Sequence, residues 1–141
     1  MSEVAMLAQE TLHRIGSVAK ESGLPIKTIR YYDELGLLKT MGRTESNYRL
    51  FSSEVFSRLR FIKRAQSLGL TLLEIREFLH VHDQGDLPCD HIMVKLEDKL
   101  QAIEQQIYQL GILKLELQGL LSETTIAGKS DMVICPIIQQ E

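Results

Sequence analysis

The longest regular pattern of apolar positions lies in the second half of the chain and predicts one long helix. From residue 93 onward, apolar side chains recur at steps of three and four over about four heptads, a spacing typical of a coiled coil. These positions are Met93, Leu96, Leu100, Ile103, Ile107, Leu110, Leu117 and Leu121, with Lys114 replacing one of them. A lone helix with such a stripe is unstable in water, so it must pack either on its own domain or on a second copy of the chain. Because the domain is small, the pattern favours pairing of two copies.

Shorter apolar periods in the first half predict two helices joined by a tight turn. The pair Gly16-Ser17 offers a start for the first helix, and Pro25 suits the first turn of the second. Gly23 lies in the turn between them, and Gly36 ends the second helix. The inward positions are predicted to be Val18, Ala19, Leu24, Ile26, Ile29 and Leu37. Two short helices with this connection form a helix-turn-helix.

The segment 42–51 alternates like a strand around the turn pair Ser46-Asn47, and it predicts a small β-hairpin, or wing. Ser52 or Ser53 then caps a helix that runs to about Leu68. The next helix, which runs to Leu79, begins at Thr71, because Glu74 three residues later completes a capping box. The polar segment 82–88 is predicted to link this helix to the long one.

Charge is distributed unevenly along the 141 residues. The formal net charge is −3, yet residues 12–70 contain 11 Lys and Arg against 5 Asp and Glu. Residues 81–141 contain 4 Lys and Arg against 10 Asp and Glu. A basic half followed by an acidic half indicates a module that binds a polyanion, joined to a part with another task.

Several classes of protein are disfavoured by the sequence. There is no run of about 18 apolar residues that would cross a membrane, and residues 1–9 lack the features of a signal peptide. Two distant cysteines do not indicate a disulfide-stapled secreted fold, so we expect a cytoplasmic protein. A glycine-rich phosphate loop, a catalytic Ser/His/Asp order and clustered carboxylates are missing, so we expect no enzyme.

The second helix of the helix-turn-helix is predicted to enter the major groove of double-stranded DNA, with Arg30 and Tyr31 closest to it. Tyr32 either touches a phosphate or packs in the core, and both alternatives stay open. Wing residues are predicted to hold flanking phosphates, whereas Arg58 and Arg60 are expected on a solvated helix face. The full set of predicted DNA-binding residues is Lys20, Lys27, Thr28, Arg30, Tyr31, Tyr32, Arg43, Tyr48 and Arg49.

Three segments, 13–20, 29–38 and 43–49, resemble the MerR family of transcription regulators. The resemblance covers roughly residues 12–122, in order and with family-like spacing. Its specific parts are IRYYD followed by GLL, and the R-Y-R segment of the wing. It implies a homodimer joined by an antiparallel coiled coil. Such dimers bind a pseudo-palindromic promoter whose spacer is too long for productive polymerase contact. The effector-bound form bends and untwists this DNA, so that RNA polymerase can open it and transcription is activated.

The expected fold is therefore mostly α, with a winged helix-turn-helix domain followed by a long antiparallel coiled-coil dimerisation helix. We expect a flexible N-terminal tail over residues 1–11 and the DNA-binding domain over 12–81. The linker and dimerisation helix occupy residues 82–122, and an effector-binding loop and tail occupy 123–141.

The two cysteines are the residues most suggestive of an effector. Cys89 lies at the start of the long helix, where the helix dipole favours the thiolate that binds metals. A helix from residue 90 to 122 spans about 50 Å, so Cys135 beyond its far end does not return to Cys89 of the same chain. In an antiparallel pair, Cys89 of one subunit and Cys135 of the other become neighbours, and two soft ligands that meet only in the dimer form a switch.

This arrangement resembles the metal-sensing branch of the family, which pairs a cysteine at this helix start with cysteines of the partner's C-terminal loop. Ser122, Thr124 and Thr125 stand where another loop cysteine is expected. Two thiolates alone suit Hg²⁺, whereas Zn²⁺ needs further ligands such as His82 or His91. Pb²⁺ and Cd²⁺ are further thiophilic divalent ions that such a site could bind.

Three other functions stay open at the level of the sequence. The dimer could respond to thiol oxidation through the same cysteines. The cysteines could be small buried apolar residues, with a different effector or none. Finally, the chain could be a coiled-coil adaptor that does not bind DNA.

Overall fold

The computed structural model describes residues 11–122 and 132–139. The predicted flexible segments therefore lie largely outside the described residues, namely 1–10 of the N-terminal tail and 123–131 of the C-terminal loop, with Thr124 and Thr125. In chain order the elements are β1 (His13–Arg14), α1 (Ile15–Ser22), α2 (Ile26–Glu34), β2 (Gly42–Arg43), β3 (Arg49–Phe51), α3 (Glu54–Ser67), α4 (Leu72–Asp83) and α5 (Cys89–Ser122). The fold is mostly helical, a winged helix-turn-helix followed by a long helix, as the sequence predicts.

The chain divides into two compact units, residues 1–95 and 96–141. The first unit contains a hydrophobic core to which α1 to α4 and β3 contribute side chains. Its largest fully buried side chains are Phe51, Phe78, Ile29, Leu37, Ile62, Ile75, Val18 and Val55. Burial of these apolar side chains is the main force that holds the short helices and strands together, since none of them is long enough to be stable alone.

The helix-turn-helix follows the predicted sequence signals closely, with two corrections. Gly23 ends α1 in the left-handed conformation at φ 75°, and its N–H donates to Ala19 O. However, α1 begins at Ile15 with Arg14 as its N-cap, so the predicted N-cap at Gly16-Ser17 is wrong by two to three residues. Ile26 was expected to point inward, but its side chain is 41% exposed.

The wing is confirmed, and it belongs to a larger sheet than the predicted hairpin. β3 pairs with β2 in antiparallel register, with Arg43 opposite Arg49, and the turn between them contains Asn47 at φ 67°. On its other edge β3 pairs with β1, with His13 opposite Phe51, which gives the strand order β1-β3-β2. The wing is thus hydrogen-bonded to the residues that enter α1.

The capping box at the start of α4 is confirmed. Thr71 Oγ1 accepts from Glu74 N at 3.2 Å, and Thr71 N donates to Glu74 Oε1 at 2.9 Å. By contrast, Ser53 precedes α3 without a side-chain capping bond. Since α4 continues to Asp83, residues 84–88 separate it from α5, and the predicted linker is shorter than expected.

The long helix α5 contains 34 residues, from Cys89 to Ser122. Every position of the predicted apolar row is exposed in the single chain, for example Ile107 at 63%, Leu110 at 62% and Leu121 at 73%. Among the described residues, no helix has the length and apolar character needed to cross a membrane.

Candidate functional site

The exposed side of α2 presents the residues that the sequence assigns to DNA. Arg30 and Tyr31 are exposed, and Tyr31 has 51% of its surface accessible. Thr28 of α2 is half-buried. Lys20 of α1 and Lys27 of α2 are exposed. Ile29, which lies between Thr28 and Arg30, is fully buried. It anchors α2 in the core, while the outer side of the helix stays available for contact.

Tyr32 lies in the core, with 9% of its surface exposed. Its hydroxyl donates to Gln66 Oε1 of α3 at 2.9 Å, and burial raises the pKa of this hydroxyl. This placement favours the packing alternative for Tyr32 over a phosphate contact. Its assignment to DNA therefore stays a prediction that the structure does not support.

The side chains of two of the three predicted wing residues make polar contacts within the protein. Arg49 Nε lies 2.7 Å from Asp33 Oδ2, so an ion pair ties β3 to α2. Arg43 Nη1 donates to Asn47 O at 3.1 Å across the wing turn. Tyr48 is 61% exposed at the tip. Arg49 and Arg43 thus shape the wing, and their predicted DNA contacts stay untested.

Asp33 has unusual electrostatics. Its Oδ1 is buried without a hydrogen-bond partner, and only Oδ2 faces Arg49. Burial raises the pKa of this carboxyl, and the nearby guanidinium groups of Arg49 and Arg43 only partly counter this effect.

A groove of about 660 Å³ lies between α2, the wing and the start of α1. It is lined by Arg30 of α2, by Tyr48 and Arg49 of the wing, and by Arg14, Gly16 and Ser17. The first N–H groups of α1 have no side-chain cap here, and such groups favour anions. Sequence reasoning did not single out Arg14 and Ser17, which line this groove. The signal that could have revealed them is an exposed basic residue directly before a helix start.

Arg58 contradicts the prediction of a solvated side chain. It is 4% exposed, its Nε donates to Leu37 O at 2.9 Å, and its two Nη atoms contact the carboxylate of Asp83 at 2.6 and 3.3 Å. Burial alone would raise the pKa of Asp83, but the contacts with Arg58 and Lys39 outweigh it and hold the pKa below its usual value. Arg60 is exposed, as predicted.

Cys89 is the first residue of α5 and is exposed, with a free thiol. It lines an apolar pocket of about 490 Å³ in the first unit, together with residues of α3 and α4. The apolar lining side chains are Phe61, Phe78, Leu79 and Ile92. His82 borders the same pocket, whereas His91 lines a separate groove beside Arg76 and His80. Of the two predicted additional ligands, only His82 shares a pocket with Cys89.

Glu54, His82 and Asp83 form a cluster whose ligand atoms lie within 4.8 Å of one another. Such a set could attract a cation, but Arg58 already lies 2.6 Å from Asp83 and 4.0 Å from Glu54. His82 Nε2 is 3.3 Å from Glu54 Oε1. The guanidinium group thus supplies the positive charge that these carboxylates face.

Cys135 lies in the described segment 132–139, with a free and half-buried side chain. Gln139 holds the turn around it, because its Oε1 accepts from the backbone N–H of Cys135 at 2.9 Å and from that of Ile134 at 2.6 Å. The backbone around this thiol is therefore defined by a local hydrogen-bonded turn.

Comparison with known proteins agrees with this architecture. A family model described as "MerR HTH family regulatory protein" matches residues 13–81, and one described as "MerR, DNA binding" matches residues 56–120. The mercuric resistance operon regulatory protein of Bacillus cereus is 38% identical over 130 residues, which cover 89% of this chain and 94% of that protein. The HTH-type transcriptional regulator ZntR of Escherichia coli K12 is 31% identical over 129 residues, 91% of each chain.

A solved structure provides a third comparison. The transcription regulator PbrR691 from Ralstonia metallidurans CH34, in complex with lead(II), superposes with a TM-score of 0.71 at 30% sequence identity. The match covers 89% of this chain and 95% of that chain. The chain therefore belongs to the MerR family of DNA-binding transcription regulators, which are not enzymes.

Proposed function

We propose that this protein is a homodimeric regulator that activates transcription in response to a thiophilic divalent metal ion. The ion is held by Cys89 of one subunit and Cys135 of the other. The observation that carries the proposal is the exposed free thiol of Cys89 at the first residue of α5. The chain is similar to a mercuric resistance regulatory protein and to a transcription regulator solved in complex with lead(II).

Dimerisation is supported by the surface of α5. Its apolar row is exposed in the single chain, and an uncovered stripe of this length requires a partner helix. In the proposed antiparallel pairing, the start of one α5 lies close to the end of the other. This arrangement allows Cys89 of one subunit and Cys135 of the other to bind the same ion.

Activation by DNA distortion is the part of the proposal that explains why an effector is needed. Bending and untwisting a promoter spacer costs about 1–10 kcal/mol, depending on its sequence. A ligand can supply this energy only by binding the distorting form of the dimer more tightly than the resting form. RNA polymerase then engages promoter elements that were out of register.

The donor atoms present suit a soft metal. Thiolates prefer ions such as Hg²⁺, Pb²⁺ and Cd²⁺, and the imidazole of His82 at the same pocket adds a nitrogen donor that Zn²⁺ would require. His82 must first leave Glu54, which is exposed and stays solvated without it. A bound ion would neutralise the thiolates and join the two subunits at this point.

DNA binding is tested with the purified full-length chain on a random duplex library. We expect enrichment of pseudo-palindromic sites, and an affinity that falls steeply with salt because Lys and Arg displace counterions from phosphates. Binding that shows neither sequence selection nor salt dependence would indicate the adaptor alternative.

Metal binding is tested by titrating the dimer with Hg²⁺, Pb²⁺, Cd²⁺ and Zn²⁺ and following the ultraviolet charge-transfer absorption of metal thiolates. We expect Cys89→Ser and Cys135→Ser each to abolish the signal. If both variants bind every ion as the unmodified dimer does, the metal proposal is wrong. A response to peroxide that needs both cysteines, without metal binding, would favour thiol oxidation instead.

Sharing between subunits has a sharper test. A mixed dimer of one Cys89→Ser subunit and one Cys135→Ser subunit retains one complete site if the ligands come from opposite chains. It retains none if both ligands come from the same chain. We therefore expect the mixed dimer to recover half of the signal that each pure variant loses.

A further inference from the structure

Arg58 is a buried arginine that belongs to neither the predicted DNA-binding residues nor the predicted metal ligands. Its side chain is 4% exposed and lies between the end of α2 and the end of α4. Arginine is rarely buried unless it is paired, because removing its charge from water is strongly unfavourable. The contacts that compensate this burial are therefore central to the role of this side chain.

The guanidinium group divides its hydrogen bonds between two partners. Nε donates to Leu37 O at 2.9 Å, while Nη1 and Nη2 donate to Asp83 Oδ1 and Oδ2 at 2.6 and 3.3 Å. A planar group with donors on two edges is needed to bind a carbonyl and a carboxylate at once. Lysine has the same charge but only a single ammonium group, so it cannot reproduce this geometry.

The two partners belong to functionally different parts of the first unit. Leu37 is fully buried and follows the left-handed Gly36, at φ 79°, in the turn that ends the DNA-reading helix α2. Asp83 is the last residue of α4, and residues 84–88 lead from it to Cys89. Arg58 thus connects the end of the reading helix to the segment that carries the proposed metal ligand.

Two further contacts join the same elements. Lys39 Nζ lies 3.5 Å from Asp83 Oδ1, and Arg76 Nη1 of α4 donates to Leu35 O at 3.5 Å. Both contacts are longer and more exposed than those of Arg58, so they contribute little to the stability of this connection. The short contacts between the buried Arg58 and the partly exposed Asp83 are the firmest connection between α4 and the turn after α2.

We propose that the Arg58–Asp83 pair positions α2 according to the metal state of Cys89. This inference rests on the proposed function. A metal ion that draws Cys89 towards a partner thiolate pulls on residues 84–88 and therefore on the end of α4. Because leaving the buried guanidinium of Arg58 without its carboxylate partner is strongly unfavourable, a shift of Asp83 carries Arg58 and the Leu37 carbonyl with it. The pair converts movement at the metal site into reorientation of the reading helix.

The test compares Asp83→Asn and Arg58→Lys with Arg60→Lys, an identical substitution at an exposed arginine of the same helix. Three quantities are measured on full-length dimers: Hg²⁺ affinity from charge-transfer absorption, operator affinity without metal, and the ratio of transcripts made by RNA polymerase with and without Hg²⁺. All are measured below the unfolding temperature of each variant, which circular dichroism determines.

We expect Asp83→Asn and Arg58→Lys to bind Hg²⁺ and the metal-free operator as the unmodified dimer does. Their activation ratio should fall by about fivefold or more, the lower range of typical coupling between two sites. Arg60→Lys should keep the full ratio. The Asp83→Asn, Arg58→Lys double variant should lose no more than either single variant, because both changes remove the same connection.

The outcomes separate this inference from the proposed function. An unmodified dimer that does not respond to Hg²⁺ or any other thiophilic ion overturns the metal proposal itself. A responsive dimer whose Arg58→Lys and Asp83→Asn variants keep their activation ratio overturns only the positioning role. Equal loss of operator affinity and activation in both variants also overturns it, since this is the result of a structural defect.

Discussion

Replacing Tyr32 with phenylalanine separates two roles that the sequence leaves open. The substitution removes only the hydroxyl, which donates to Gln66 Oε1 at 2.9 Å, and keeps the ring in the core, where the residue is 9% exposed. A hydrogen bond of this kind contributes about 0.5–1.5 kcal/mol. Since Gln66 is exposed and water can replace the lost partner, we expect a loss in the lower half of this range.

The assay is urea unfolding of the Tyr32→Phe variant, with the free energy of unfolding extrapolated to water. Operator affinity is measured in parallel, and Tyr31→Phe serves as the matched control on the neighbouring, 51% exposed tyrosine. We expect Tyr32→Phe to lower the free energy of unfolding without weakening operator binding. We expect Tyr31→Phe to weaken operator binding without lowering the free energy of unfolding. An unchanged free energy of unfolding together with weaker operator binding by Tyr32→Phe would refute the packing role.

Three further predictions follow from other described contacts. Thr71→Ala removes the capping box with Glu74 and should lower the free energy of unfolding by about 0.5–2 kcal/mol in thermal or urea unfolding; no change would mean that the cap is redundant. Asp33 has a raised pKa in the folded state, so its contribution to stability falls as pH rises from the usual value of 3.8 through the raised one. The stability difference between the unmodified chain and Asp33→Asn should therefore depend on pH in this window, and a constant difference contradicts the burial argument. Arg30→Ala should reduce the slope of log affinity for the operator against log salt by about one, and an unchanged slope would place Arg30 away from phosphates.

Features governed by local chemistry were predictable from the sequence. The capping box at Thr71, the left-handed turn at Gly23 and the apolar period of α5 each depend on a few neighbouring residues, and all three are present. The wing was predictable for the same reason, because its turn residues and alternation are local signals. The exposed positions of Arg30 and Tyr31 followed once Ile29 was placed inside.

Features that depend on long-range pairing were missed. Arg58 was expected in solvent because arginine alone favours exposure, and only Asp83 and the Leu37 carbonyl make its burial tolerable. Both partners are remote in sequence, so helix periodicity contains no trace of them. The pairing of β1 with β3 and the Asp33–Arg49 ion pair were missed for the same reason.

The pairing of β1 with β3 has a practical consequence for building chimeric regulators. The wing is hydrogen-bonded to His13 and Arg14 of β1, so a transferable winged helix-turn-helix segment must begin with β1 and not with α1. A graft that starts at α1 would transfer α2, the helix predicted to contact DNA, but would leave β3 without its pairing partner β1. A fusion partner attached before His13 must therefore leave β1 free to pair with β3.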